Sequence, residues 1–323
     1  MAKLKVLFSF DLKDKYLDSI KENFSELEII KSEDESVLKK EIKDTDVLVA
    51  MLLRKFDSDL IKMGNNLKWI QSWSAGVDKF LEDGNFKYLK ENNIQLTSVR
   101  GIHRHSMSEQ VIGYMISFTR RFHELYELQK KREWNRLKVQ YLKDKTLAVF
   151  GLGAVGKAVA KKASVFNMQT VGVKRNTEVD IPYVNKIYSP KETKKVLEMS
   201  DFVVVTMPLT EETRGFFGEK EFKAMSKDAY FINVARGEIV KQKELVKALE
   251  NKEIAGAALD VFTEEPLPKN STLYELDNVI ITPHTSGLFP DYNKEAVKVF
   301  KNNLRLFLEN ESLVNLINPD RQY

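Results

Sequence analysis

Between Lys3 and Thr97 short apolar runs alternate with segments of helical periodicity. Lys3 to Phe10 reads as a strand and Asp14 to Phe24 as a helix, and Leu27 to Ile30, Asp46 to Met51, Leu67 to Trp73 and Ile94 to Thr97 supply further strands. Such alternation predicts a parallel sheet covered on both faces. The pattern then changes. Ser106-Met107-Ser108-Glu109 has the Ser-x-x-Glu form of a capping box, and Val111, Ile112, Met115, Ile116, Phe118, Phe122, Leu125 and Leu128 follow at helical spacing. The spacing predicts one helix of roughly 25 residues, long enough to cross between domains or to pack on a partner chain. A second α/β run starts at Thr146, with strands expected at Thr146 to Phe150, Gln169 to Val173, Phe202 to Met207, Tyr230 to Val234, Ala255 to Asp260 and Val279 to Thr282. That run has helices enough of its own, so the last helical segment, Asp291 to Leu308, is expected to return to the first domain. Asn176 to Asp180 and Pro266 to Ser271 read as loops.

Composition narrows the class. The 323 residues suit about two domains, and 43% hydrophobic with 30% charged residues describes a soluble globular chain. Lys and Arg total 51 against 47 Asp and Glu, a net +4 with both signs intermixed. No basic stripe marks a nucleic-acid partner, and Lys130-Lys131-Arg132 reads as the solvated end of a helix. The absence of cysteine excludes disulfides, thiolate metal sites and a Cys nucleophile. The N-terminus lacks the apolar core of a signal peptide, and no apolar stretch approaches bilayer length, so a cytoplasmic protein without a membrane partner is expected. No metal site is expected.

The candidate chemistry lies in the second run. Gly151-Leu152-Gly153-Ala154-Val155-Gly156 follows an apolar strand and precedes a helix-like stretch, the order a dinucleotide-binding βαβ unit requires. The first glycine permits the tight turn, the second a close approach to a pyrophosphate, the third close helix packing. Amides of the first helical turn, near Ala154 and Val155, would face the phosphates. Of four histidines, His123 reads as structural or exposed, and His103 and His105 as polar loop residues. His284 follows Val279-Ile280-Ile281-Thr282-Pro283 and so falls just past the C-terminal end of a buried strand, where open α/β sheets bind ligands. Arg236 and Glu265 follow two other such strands. Together the three suit hydride transfer to a carbonyl: histidine as acid/base, glutamate holding the imidazole and favouring its protonated form, arginine clamping a carboxylate. Spacing alone leaves Arg236 and Glu265 equally readable as surface charges.

Five ordered motifs resemble the D-isomer-specific 2-hydroxyacid dehydrogenase family over nearly the whole chain: Ser74-Ala75-Gly76-Val77-Asp78, the glycine turn, Asn233-Val234-Ala235-Arg236-Gly237, Leu259-Asp260-Val261-Phe262-Thr263-Glu264-Glu265-Pro266 and Thr282-Pro283-His284. The resemblance implies an α/β fold of two domains. A Rossmann-type dinucleotide-binding domain spans 99–287, and a flavodoxin-like substrate domain is built from both termini, 1–98 and 288–323. It implies that Arg236 binds the substrate carboxylate and carbonyl, that Glu265 (with Glu264 the nearby alternative) partners the histidine, and that His284 is the acid/base. It assigns Ala75, Gly76 and Val77 to substrate binding, and Arg54 with them, although an exposed loop arginine reads equally well. Cofactor contacts are implied for Met107, Gly151, Gly153, Ala154, Val155, Gly156, Lys174, Arg175, Thr206, Met207, Pro208, Thr213, Val234, Ala235, Asp260, Ser286 and Gly287, with Asp260 meeting the nicotinamide carboxamide.

Family members that use NAD carry an acid at the end of the second strand for the ribose 2′-hydroxyl. Here that strand ends Val173-Lys174-Arg175. Two cations favour a 2′-phosphate, and no carboxylate is expected there to repel it. The expected cofactor is therefore NADP(H), with NAD(H) as the alternative of a permissive enzyme. The expected activity is reduction of a small 2-oxo acid such as glyoxylate or hydroxypyruvate, in a cleft that the substrate closes. A phosphoglycerate dehydrogenase-like activity is one alternative. Another is a nucleotide-sensing binding protein on the same fold, as in the C-terminal binding protein corepressors. A homodimer is expected, with the long helix as its surface.

Overall fold

The computed structural model describes residues 3–52 and 58–318; Arg54 lies outside the described residues. Contacts group the chain into two compact units. One comprises the N-terminal segment to Ile102 together with the segment from Pro290 onward, and the other is His103–Phe289.

The first unit is built on five parallel strands, β1 (Leu4–Phe8), β2 (Leu27–Lys31), β3 (Val47–Ala50), β4 (Trp69–Ser72) and β5 (Gln95–Ser98), in the order β2-β1-β3-β4-β5. Helices cover both faces, so the central strands are buried throughout: β3 is an unbroken apolar run, while β1 carries the ion-paired Lys5 and β4 ends in the buried Gln71 and Ser72. On one face Leu7, Leu48 and Ile70 pack with Leu38, Ile42, Ile61 and Phe80. On the other, Phe8 and Trp69 meet Phe300 of the helix Tyr292–Leu308, with ring centroids 5.6 and 5.5 Å apart. That helix is therefore part of the first unit. Its buried Asn303 is satisfied: its Nδ2 donates to Gln71 Oε1 and Val314 O, and its Oδ1 accepts from Val314 N.

The second unit carries seven parallel strands: β6 (Thr146–Phe150), β7 (Gln169–Val173), β8 (Lys186–Tyr188), β9 (Phe202–Val205), β10 (Tyr230–Asn233), β11 (Gly256–Leu259) and β12 (Val279–Ile281). Their order is β12-β11-β10-β9-β6-β7-β8. The edge strand β8 is absent from the sequence reading. At three residues it is too short to carry a period of its own, and it pairs only with β7.

The single long helix expected from Ser106 is instead two, Arg104–Thr119 and Phe122–Lys130. Arg121 between them is left-handed, with φ 56°, and its guanidinium pairs with Glu124 on the next turn. The apolar spacing runs through this break because periodicity does not register a single left-handed residue. Nor does the capping box form. The first helix starts before it, Ser106 and Ser108 bond back to the carbonyls of His103 and Arg104, and Glu109 pairs with Lys162. The first helix buries Val111, Ile112, Met115 and Phe118, whereas the second buries no residue.

Candidate active site

The turn after β6 is shaped by two close approaches. Gly151 has φ +101°, and a Cβ there would lie 2.6 Å from the Met207 amide nitrogen; a Cβ on Gly156 would lie 2.1 Å from Gly151 O. Neither position accepts a side chain. Thr206 at the end of β9 donates from Oγ1 to Gly151 O, which fastens the β9 loop to the turn. Gly153 caps the helix Ala154–Val165 without a side-chain hydrogen bond, and a Cβ there would meet nothing within 4 Å. Directly after this uncrowded glycine begins the first turn of a 12-residue helix, whose N-terminal amides are the cradle a pyrophosphate needs. The residues present fit a dinucleotide.

Arg236, Glu265 and His284 each follow one of three neighbouring strands, β10, β11 and β12. Glu265 and His284 are in direct contact. Their Oε2 and Nδ1 are 2.7 Å apart, and Glu265 Oε1 accepts from Phe262 N at 3.0 Å. Glu264, the nearby alternative, has no such role here. His284 has φ 52°, a conformation that costs a non-glycine residue roughly 1–2 kcal/mol. Its amide donates to Asp260 O at 2.8 Å and to Thr282 O at 3.0 Å.

Asp260 is fully buried. One carboxylate oxygen accepts from Thr282 Oγ1 and Thr285 N, the other from Ser286 N. Placed by resemblance at the nicotinamide carboxamide, Asp260 thus also fixes the segment that presents His284, a role that motif spacing does not reveal.

Asn233 is a second contributor not singled out for a role. Buried at the end of β10, its Nδ2 donates to Arg236 O at 2.9 Å and its Oδ1 accepts from Ala235 N at 3.0 Å. The Asn-x-x-Arg spacing is the available signal, since Asn side chains bond backbone groups a few residues on. Arg236 itself is half-buried, with Nη1 donating to Ala235 O at 2.7 Å.

Of the other histidines, His103 departs from the expectation of a polar loop residue and His123 keeps its structural reading. The ring of His103 is largely enclosed: its Nδ1 is 2.9 Å from Gly287 O, and Phe289 lies edge-on at 6.0 Å. Burial pushes the His103 imidazole below the usual histidine pKa, and the charges of Arg236 and His284 act in the same direction. His123 packs edge-on against Phe118 at 5.4 Å, a structural position.

Other expected cofactor residues are placed as follows. Lys174 and Arg175 follow β7, the first half-buried and the second exposed. Contrary to the expectation that no carboxylate is near, Arg175 Nη1 lies 3.2 Å from Glu212 Oε2. Glu212 is distant in sequence, so reading the end of β7 alone could not find it. Thr213 Oγ1 donates to Pro208 O and accepts from Thr210 N, closing the loop after β9. Val234, Ala235 and Ser286 are buried, while Met107 and Met207 are partly buried against the cores on the two faces of the sheet. In the first unit, Ser72 Oγ accepts from Ser74 N at 3.2 Å and Ser74 Oγ donates to Gly76 O at 3.0 Å, bracing the segment of Ala75, Gly76 and Val77 after β4.

Residues 112–286 match the family model for the D-isomer specific 2-hydroxyacid dehydrogenase NAD binding domain. A glyoxylate reductase of Thermofilum pendens is 33% identical over 88% of this chain and 84% of its own length. A D-3-phosphoglycerate dehydrogenase of Methanocaldococcus jannaschii is 31% identical over 93% of this chain and 57% of its own length. Among solved structures, the NADPH-dependent glyoxylate/hydroxypyruvate reductase of Sinorhizobium meliloti, in complex with NADP and sulfate, superposes with a TM-score of 0.85 at 25% identity. It covers 99% of this chain and 100% of that one. With strand-end Arg236, Glu265 and His284 beside a dinucleotide turn, the chain belongs to the D-isomer specific 2-hydroxyacid dehydrogenase family. It is a nicotinamide-dependent oxidoreductase of that family, acting on CH–OH groups.

Proposed function

We propose that this chain is an NADPH-preferring reductase of small 2-oxo acids, glyoxylate and hydroxypyruvate foremost. The observation that carries the reading is the 2.7 Å contact of Glu265 with His284 Nδ1 at the C-terminal edge of a sheet that also holds a dinucleotide cradle. The names of two relatives, both of them reductases of glyoxylate, support the substrate class. Lys174 and Arg175 support NADPH, as does the NADP bound by the Sinorhizobium relative.

Gly151, Gly153, Ala154, Val155 and Gly156 would hold the pyrophosphate, Lys174 and Arg175 the 2′-phosphate, and the β9 loop from Thr206 the adenosine side. When bound, the reduced nicotinamide supplies a hydride to the substrate's carbonyl carbon. The chain's own residues do the rest. With Nδ1 committed to Glu265, Nε2 is the nitrogen of His284 that passes a proton to the carbonyl oxygen. The Glu265 carboxylate fixes the ring's tautomer and orientation. Arg236 takes the carboxylate of the 2-oxo acid with its planar fork, which orients the carbonyl and stabilises charge as it develops on oxygen. Ala75, Gly76 and Val77 are proposed to contribute amides to the same carboxylate.

The test is kcat/KM for a panel of 2-oxo acids with NADPH and with NADH. Fastest turnover with glyoxylate or hydroxypyruvate and NADPH supports the reading. A clear NADH preference overturns the cofactor assignment. Preferred turnover of phosphoglycerate replaces the substrate class, and binding of either nucleotide without turnover of any acid leaves a sensor instead of a reductase.

We further infer a homodimer. Phe122, Tyr126, Trp134 and Tyr141 lie within one segment of the second unit and are 52%, 59%, 95% and 68% exposed. Four large aromatic side chains in a stretch whose helix buries nothing suit a protein partner. No described helix is long and apolar enough to cross a membrane.

A further inference from the structure

The rim of the cofactor cradle holds a feature that hydride transfer does not use. β7 and β9 flank β6 on either side, so the segments leaving them rise beside the glycine turn. The β9 segment is fastened in two places. Thr206 Oγ1 bonds Gly151 O, and Thr213 Oγ1 donates to Pro208 O at 2.7 Å while accepting from Thr210 N at 2.8 Å. Glu212 stands in this closed turn. Its Oε2 is 3.2 Å from Arg175 Nη1 at the end of β7, so the pair joins the two sides of the rim. Both side chains are solvent-accessible, at 54% for Arg175 and 75% for Glu212.

We propose that Glu212 is a specificity-determining residue: it competes with the 2′-phosphate of NADPH for Arg175 and so moderates the preference for NADPH over NADH. The proposal rests on the reading that Arg175 takes the 2′-phosphate. An exposed ion pair is weak, whereas a phosphate carries nearly two charges and three acceptor oxygens, so the phosphate wins the guanidinium. It wins at a loss, because the ion pair must break first. The displaced carboxylate also stays within a side chain's length of the phosphate's charge, since Thr210, Thr213 and Pro208 hold the backbone of its turn at the rim. Both effects act on the phosphorylated ribose alone. A 2′-hydroxyl is uncharged, and NADH leaves the pair in place. Glu212 thus keeps the less favoured cofactor within reach without contacting the reacting atoms.

Calorimetric binding of 2′,5′-ADP and 5′-AMP separates this effect from catalysis, using wild type, Glu212→Gln, Arg175→Ala and the double variant at one fixed low salt concentration. Glu212→Gln is expected to tighten 2′,5′-ADP roughly three- to fivefold and to leave 5′-AMP unchanged, and the gain should vanish in the Arg175→Ala background. An equal gain for both nucleotides, no gain for either, weaker 5′-AMP binding or a gain that persists without Arg175 would each overturn the proposal. If wild type binds 5′-AMP more tightly than 2′,5′-ADP, the NADPH preference falls, while the role of Glu212 is still decided by the difference between variants.

Discussion

A left-handed residue persists in a folded chain only where its surroundings hold it there, and His284 is held from several directions. Its amide bonds two carbonyls, its Nδ1 meets Glu265, and the two residues after it are bound by the Asp260 carboxylate. Arg236 is set in a similar way by Asn233, which bonds the backbone on both sides of the turn. Removing one partner of a buried hydrogen bond costs about 1–3 kcal/mol, and each 1.4 kcal/mol is about tenfold in a rate or equilibrium constant. Asn233→Ala is therefore expected to lower kcat/KM about tenfold or more, chiefly by raising KM for the 2-oxo acid, with a smaller loss of nucleotide affinity through the freed Ala235 amide. Steady-state kinetics beside a nucleotide titration check this, and an unchanged KM would remove the positioning role. At this scale the sequence was legible where residue type and strand end coincide, as for Arg236, Glu265 and His284. It was silent where a partner is remote, as for Glu212, or where a carboxylate works through backbone amides, as for Asp260.

The elements follow the hydrophobic pattern wherever burial is two-sided. β3 and β9, and β6 after Thr146, are short apolar runs in parallel sheets, and no alternative period competes with them. The pattern fails where backbone geometry decides: it misses β8, which gains its place by pairing with β7, and it joins two helices that Arg121 separates. The return of the helix Tyr292–Leu308 to the first unit was legible because the second run already had helices enough, and its packing shows what holds it. Phe300 is fully buried against Phe8, Trp69 and Trp73. Phe300→Ala should destabilise the first unit by about 3–5 kcal/mol, read as a lower midpoint in denaturant. A loss below 1 kcal/mol, by contrast, would mean that the helix is not anchored there.

For the molecule as a whole, composition and charge exclude more than they assign. With no cysteine and an even mix of charges, specificity falls to the dinucleotide cradle, to the strand-end residues beyond it and to the exposed aromatic segment. Trp134 is 95% exposed, so replacing it leaves each unit's core untouched. Light scattering on wild type is expected to give twice the chain mass, and Trp134→Glu combined with Tyr126→Glu should shift the population toward the monomer. A wild-type monomer would contradict the inferred dimer.

On the proposed function, His284, oriented by Glu265, delivers the proton in reduction of a 2-oxo acid. The most direct measurement is kcat/KM for glyoxylate with NADPH in wild type and in His284→Ala, with nucleotide affinity determined on the same preparations. A loss of about 10²–10⁴-fold with unchanged NADPH affinity is the predicted result. Full activity in His284→Ala would contradict it.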